Sequence, residues 1–111
     1  MIDLKNLTIE RAHEDLKSGK YTCLELLNAY LKNIEEKNKE LNAYLEVFTD
    51  AQEQAEIAQK KFTDGTAELL TGIPFAIKDN ILFEGHVASS GSNILKPYTA
   101  AYNSTAVEKL K

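Results

Sequence analysis

The stretch from Gly72 to Asn80, Gly-Ile-Pro-Phe-Ala-Ile-Lys-Asp-Asn, constrains the fold of this chain more than any other. Its apolar residues form one short, nearly continuous run that begins at a turn-forming glycine and proline and ends at Asp-Asn. A run of this length between turn residues is typical of a strand that is buried on both faces of a sheet. The sequence therefore predicts a strand over residues 73–79 inside a larger sheet.

Lys78 lies in this predicted strand, on the same face as the small side chain of Ala76, because side chains alternate along a strand. An amine drawn into the protein interior is expected to lose its proton, since burying a charge is costly. A neutral amine can accept a proton at neutral pH, so Lys78 is a candidate general base. The alternative is an ordinary lysine near a strand end, whose charged head reaches water and has no chemical role.

The remainder of the chain predicts four helices and one further strand. Thr22 and Glu25 have the spacing of a capping box, which marks the start of the second helix. Residues 41–48 are rich in aromatic and aliphatic side chains and predict a strand. The four helices are predicted over residues 8–18, 22–40, 50–62 and 105–111, with Thr8 as the N-cap of the first helix and Thr105 as the N-cap of the last. Helices followed by a buried strand predict an α/β fold, with the strand at 73–79 inside a larger sheet.

Composition limits the class of protein. Seventeen acidic against thirteen basic residues give a net charge of −4, which argues against a nucleic-acid-binding face built on bulk charge, although a local patch stays possible. The single cysteine, Cys23, excludes an internal disulfide and suits a reducing cytoplasm. No apolar stretch approaches the roughly 20 residues of a membrane span, and the amino terminus has no signal-peptide core. We therefore expect a soluble, cytoplasmic protein that contacts no membrane.

Serines and histidines elsewhere in the chain are weaker candidates for chemistry. Ser89, Ser90 and Ser92 lie together in a loop of small residues. A nucleophilic serine needs a positioned base and oxyanion donors, and this loop lacks the Gly-x-Ser-x-Gly elbow that presents one. His13 and His86 have no second ligand or carboxylate partner at a suitable spacing, so both are interpreted as non-catalytic.

The blocks Gly-Ile-Pro at 72–74 and Ala-Ile-Lys-Asp-Asn-Ile at 76–81, followed by Ala-Ser-Ser-Gly-Ser at 88–92, resemble the start of the amidase signature region. The resemblance extends over nearly the whole chain, and within the family it is strongest to the A subunits of aspartyl/glutamyl-tRNA amidotransferases. It implies the amidase-signature fold, in which helices pack on a mixed central sheet, with the sheet incomplete in this chain. Residues 1–111 would then form one partial domain, with amino-terminal helices over 1–65 and the start of the core over 66–111.

In this family a lysine in such a setting is the base of a Ser-Ser-Lys triad, and the resemblance gives that role to Lys78. It implies an enzyme that releases ammonia from glutamine to amidate Glu-tRNA(Gln) or Asp-tRNA(Asn). The B and C subunits are the expected partners, and tRNA is contacted only through their complex. ATP and magnesium belong to that complex, and we expect this chain to bind no cofactor or metal. Both triad serines lie far downstream in the family, so we expect the isolated chain to be inactive.

Two alternatives stay open from the sequence. Other amidases share the Gly-Ile-Pro and Lys-Asp blocks, so the chain could be a fragment of an enzyme that acts on a free small amide. It could also be a non-catalytic remnant or interaction module that is retained for its helices rather than for Lys78.

Overall fold

The computed structural model describes residues 2–111, and the regular elements of this part of the chain are four helices and one isolated antiparallel bridge. The bridge joins Val87 and Thr99. The chain divides into two compact units, Met1–Pro74 and Phe75–Lys111. The helices are α1 (Ile9–Lys17), α2 (Cys23–Leu41), α3 (Ala51–Thr63) and α4 (Thr105–Leu110).

The first unit contains α1, α2 and α3, and side-chain caps begin two of these helices. Thr8 Oγ1 accepts a hydrogen bond from the Arg11 amide at 3.2 Å, as an N-cap residue does. The Glu25 amide donates to Thr22 Oγ1 at 3.1 Å, and the Thr22 amide donates to the Glu25 carboxylate at 2.7 Å. This is the reciprocal capping box that the sequence predicts. The predicted starts of α1 and α2 are therefore confirmed.

The core of the first unit is formed where the three helices meet. Leu26 of α2 is fully buried, at 0% exposure, and burial of one such side chain contributes roughly 2 kcal/mol. The Cys23 amide donates to Gln59 Oε1 of α3 at 2.9 Å. This bond satisfies an amide in the first turn of α2 that no helical carbonyl can reach. The buried core residues of this unit are Ala12, Leu16, Tyr21, Cys23, Leu26, Leu27 and Ala55.

Residues 41–48 do not form the predicted strand. The segment leaves α2 at Asn42, which has a left-handed conformation with φ of 49°. The Asn38 side chain then binds the backbone of Tyr44 twice, since Oδ1 accepts from the Tyr44 amide at 2.8 Å and Nδ2 donates to the Tyr44 carbonyl at 2.9 Å. The prediction is wrong because β-propensity reflects packing against neighbouring strands, and no strand within residues 2–111 pairs with this segment.

The second unit consists of loops joined by backbone hydrogen bonds, followed by α4. The Gly85 amide donates to the Ala100 carbonyl at 2.9 Å, and the Ala100 amide donates to the His86 carbonyl at 2.9 Å. The Ala88 amide donates to the Tyr98 carbonyl at 3.1 Å. These bonds hold two extended segments side by side around the bridge. The buried apolar residues of this unit are Phe83, Ala88, Ala100 and Val107.

The N-cap of α4 differs from the predicted one by a single residue. Ser104 Oγ accepts a hydrogen bond from the Val107 amide at 3.3 Å, so Ser104 is the N-cap and Thr105 is the first helical residue. The predicted cap at Thr105 is wrong because a Ser-Thr pair offers two adjacent hydroxyls. Spacing alone does not decide which hydroxyl faces the amides of the first turn.

Residues 73–79 also lack the predicted strand. Phe75 is 52% exposed, and the Lys78 side chain is exposed as well. A strand buried on both faces needs paired neighbours and covering layers, and residues 2–111 provide no strand that pairs with it. The prediction that Lys78 is buried is therefore wrong for this structure. The α/β class with an incomplete mixed sheet is not confirmed, and the grouping of residues 1–111 into one partial domain stays a prediction.

Candidate functional site

Lys78 is held through its backbone, while its amine is free. The Lys78 carbonyl accepts a hydrogen bond from the Ile81 amide at 2.9 Å, which closes a turn over the Asp79-Asn80 pair. The side chain is exposed. No described residue forms a hydrogen bond or ion pair with its ammonium group. Among the described residues, hydrogen bonds therefore hold the backbone of Lys78 and not its side chain.

The next residue, Asp79, accepts hydrogen bonds through both its carboxylate and its backbone carbonyl from a loop at residues 89–91. Its carboxylate accepts hydrogen bonds from the Ser89 amide at 3.1 Å, from the Gly91 amide at 3.1 Å and from the Ser89 hydroxyl. Its backbone carbonyl accepts a hydrogen bond from the Ser90 amide at 3.1 Å. The Ser89 hydroxyl is the main cause that lowers the pKa of Asp79, and the two amides lower it further, because bonds to the carboxylate favour its charged form.

The loop at residues 89–91 has a conformation that suits an anion. Ser90 and Gly91 are both left-handed, with φ of 50° and 68°, and the Ser92 amide donates to the Ser89 carbonyl at 2.8 Å. Successive residues in such turns direct their amides into one concavity that binds negative charge. A left-handed serine costs about 1 kcal/mol, so the loop holds this shape because the Asp79 carboxylate fills the concavity.

The contact between Asp79 and the loop was not predicted from the sequence. Aspartate and serine readily bind nearby backbone amides in turns, which is the available signal. The partners lie ten and twelve residues from Asp79, however, and composition does not reveal which amides face the carboxylate. Ser89 is buried at 7% exposure and its hydroxyl donates to Asp79, so it holds the loop. His86 packs its ring edge-on against Phe83, with centroids 5.0 Å apart.

The first unit contains a separate cluster of charged groups around Asp15. Arg11 Nε lies 3.1 Å from Asp15 Oδ1, and Lys20 Nζ lies 3.0 Å from Asp15 Oδ2. The Lys20 hydrogen bond is the main cause that lowers the pKa of Asp15, and the Arg11 charge adds to it. These residues line an open cleft of about 720 Å³ between the amino-terminal segment, α1 and α2.

Tyr21 lines the same cleft and is buried, at 8% exposure. Its hydroxyl has no hydrogen-bond partner among the described residues. Burial is the main cause that raises the pKa of Tyr21, and the nearby Asp15 charge raises it further. Asp15 is thus close enough to act on the pKa of this hydroxyl.

Neither a metal site nor a membrane-spanning helix is present in the described part of the chain. Between residues 2 and 111, no group of three or more His, Cys, Asp or Glu side chains is arranged to hold a metal ion. Over the same residues, every helix is too short or too polar to cross a membrane.

The sequence family follows from a match over most of the chain. The model of the Amidase family matches residues 25–111. The chain belongs to the amidase family. The matched range includes Lys78, Asp79 and the loop at 89–91, so the site described above lies inside the amidase domain. The family resemblance found from the sequence motifs is thereby confirmed.

Proteins that share one name, the A subunit of glutamyl-tRNA(Gln) amidotransferase, are similar to this chain over nearly its whole length. The A subunit of the glutamyl-tRNA(Gln) amidotransferase of Brachyspira hyodysenteriae is 38% identical over an alignment of 113 positions, gaps included, which covers 98% of this chain and 23% of that protein. The protein of the same name from Ruminiclostridium cellulolyticum is 41% identical over 110 residues, with 98% and 23% coverage. That of Pelobacter propionicus is 39% identical over 111 residues, with 99% and 23% coverage. This amidase chain therefore spans about a quarter of the length of these relatives.

Proposed function

We propose that this chain supplies part of the amidohydrolase subunit of a tRNA-dependent amidotransferase. The subunit would release ammonia from glutamine, and the ammonia would amidate Glu-tRNA(Gln) or Asp-tRNA(Asn). The observation that carries the proposal is the identity of 38–41% across 98–99% of the chain to proteins named as the A subunit of glutamyl-tRNA(Gln) amidotransferase. Similarity over almost the whole chain supports this subfamily better than the shared Lys-Asp block alone would.

Lys78 is the base in this proposal. Its neutral amine accepts a proton from a bridging serine, which in turn accepts one from the nucleophilic serine. That serine attacks the amide carbonyl of glutamine, and backbone amides stabilise the oxyanion. The proton returns from Lys78 through the bridging serine to the leaving nitrogen, ammonia departs, and water then hydrolyses the ester left on the serine to release glutamate. In the family pattern, both serines belong to a part of the relatives that these 111 residues do not cover. The 111 residues alone are therefore expected to hydrolyse no amide.

The exposed position of Lys78 is compatible with this role if the remaining strands of the family sheet cover its segment. Phe75 and Ile81 on either side are 52% and 38% exposed. Both are large apolar side chains on the segment that carries Lys78, and in this proposal the remainder of the family sheet buries them. Covering the segment would also remove the Lys78 amine from water, which favours the neutral form that accepts a proton.

The ATP-dependent step belongs to a partner subunit in this proposal. The B and C subunits are the expected partners, and one of them activates the misacylated tRNA with ATP and magnesium and receives the ammonia. In this proposal the metal and the nucleotide belong to the partner subunit, and this chain contributes only the amide hydrolysis. Contact with tRNA is made only through the complex.

The experiment is to express the complete reading frame that contains these residues, with its B and C subunits, and to measure two activities. The first is hydrolysis of glutamine, and the second is amidation of Glu-tRNA(Gln). Both are expected. Hydrolysis of small free amides without any use of glutamine would instead support an amidase of another kind. A protein that hydrolyses neither class of amide would support a non-catalytic interaction module.

A further inference from the structure

We propose that Asp79 is a positioning residue for Lys78, which acts by fixing the backbone of the lysine to the loop at residues 89–91. The proposal rests on the proposed function above, in which Lys78 is the base. It adds a second residue that the reaction requires and that does not itself touch the substrate.

Both oxygens of the Asp79 carboxylate accept hydrogen bonds from within the protein. Oδ1 accepts from the Ser89 amide at 3.1 Å, while Oδ2 accepts from the Gly91 amide at 3.1 Å and from the Ser89 hydroxyl. With both oxygens engaged, the carboxylate is poorly placed to take a proton from a substrate or from a serine. Its function is therefore to hold the loop and the backbone of its own segment together.

These bonds control the geometry of the neighbouring lysine. Lys78 and Asp79 share one planar peptide group, so fixing Asp79 also restrains the position of the Lys78 Cα atom, from which the side chain starts. In the described structure, the segment 75–79 has two sets of hydrogen bonds. One set is made by Asp79, and the other is the single bond from the Ile81 amide to the Lys78 carbonyl. The lysine stem is flexible and its amine has no partner among the described residues, so hydrogen bonds hold only the backbone from which the stem extends.

The charge of Asp79 is needed for this anchor. Hydrogen bonds to an ionised carboxylate are roughly twice as strong as neutral ones. They also offset the cost of the left-handed conformation of Ser90. Asparagine has nearly the same shape, but it replaces one acceptor oxygen with an NH₂ group that would face a donor. Asp79→Asn is therefore the substitution that breaks the anchor with the least change in volume.

The experiment compares Asp79→Asn with the charge-matched control Glu84→Gln in the assembled amidotransferase, with glutamine hydrolysis as the assay. Glu84 is exposed, lies in the same unit and has no side-chain bond to the loop. We expect Asp79→Asn to lower kcat about 100-fold, since a displacement of about 1 Å can cost that much. KM for glutamine should change less than about threefold, because the residue does not bind the substrate. Asp79→Glu keeps the charge and should recover part of the loss, whereas Glu84→Gln should match the wild type.

A second measurement tests the anchor itself, without reference to activity. In the assembled amidotransferase, hydrogen exchange of the Ser89 and Gly91 amides should speed up at least about tenfold in Asp79→Asn and stay unchanged in Glu84→Gln. If the amides exchange equally in all three proteins, or if kcat of Asp79→Asn is within twofold of wild type, the proposal is overturned. Should Asp79→Asn fail to assemble, Ser89→Ala removes one donor alone, and an unchanged kcat in that variant overturns the proposal.

Lys78→Ala in the same assay separates the positioning role from the proposed base. If Lys78→Ala is inactive and Asp79→Asn is normal, only the positioning role of Asp79 is wrong. If Lys78→Ala hydrolyses glutamine normally, the proposed base is wrong, and the positioning role is wrong with it.

Discussion

Substitution of Gly72 by alanine, which adds a single methyl group, should destabilise the fold. Its φ is +76°, and a Cβ built on it would lie 2.5 Å from Cys23 Sγ and 3.3 Å from both Leu16 Cδ1 and Phe62 Cε2. Cys23 is 1% exposed, so its sulfur cannot move out into solvent. An alanine there would cost about 1 kcal/mol for the left-handed backbone and about 2 kcal/mol for overpacking. Gly72→Ala should therefore lower the free energy of unfolding by about 3 kcal/mol.

Gly65→Ala is the matched control for this prediction. Gly65 has a φ of +73°, and a Cβ there would meet nothing within 4 Å, so only the backbone cost of about 1 kcal/mol remains. The assay is urea unfolding of the chain, followed by far-UV circular dichroism. In the double mutant Gly72→Ala/Cys23→Ala, the loss in free energy of unfolding should be smaller, by about 1 kcal/mol, than the sum of the losses in the two single mutants. Equal destabilisation by Gly72→Ala and Gly65→Ala would refute the close approach of residue 72 to the core.

Two further predictions concern polar groups. Tyr21→Phe should change the free energy of unfolding by less than about 0.5 kcal/mol, because the hydroxyl that is lost has no partner among the described residues. The assay is urea unfolding. A loss of stability above about 1.5 kcal/mol would show that the hydroxyl does make a hydrogen bond and would contradict this prediction. The lowered pKa of Asp79 means that the stability contributed by its carboxylate is present above the ordinary value of 3.8 and is lost as the pH falls through the lower folded-state value. In the wild type, hydrogen exchange of the Gly91 amide should therefore become faster, relative to its intrinsic rate, as the pH falls below 3.8. Asp79→Asn, which has no carboxylate to protonate, should show no such acceleration. A wild-type protein whose Gly91 exchange does not accelerate would contradict this prediction.

The helices could be predicted because their signals are local. The Thr22–Glu25 capping box spans four residues, and both of its hydrogen bonds form as the sequence indicates. The shift of the α4 cap from Thr105 to Ser104 is a one-residue error between two adjacent hydroxyls. Signals of this kind need no knowledge of the remainder of the fold.

The strands and the site depended on distant partners. The apolar run at 73–79 has strand character, but a strand forms only where another strand pairs with it, and residues 2–111 contain none that does so. The role of Asp79 depends on amides at Ser89 and Gly91, whose direction is set by two left-handed residues in the loop. Lys78 could be selected from the sequence because of its motif, whereas its exposure could be learned only from the structure.

The most direct test of the proposed chemistry is the rate of glutamine hydrolysis by the assembled amidotransferase that carries Lys78→Ala. Lys96→Ala is the control, because Lys96 is another exposed lysine of the same unit. General base catalysis contributes about 100- to 10,000-fold, so we expect Lys78→Ala to lose at least about 100-fold in kcat while its melting temperature and its assembly with the partner subunits match those of Lys96→Ala. A Lys78→Ala protein that hydrolyses glutamine within a fewfold of the wild-type rate would contradict the assignment of Lys78 as the base.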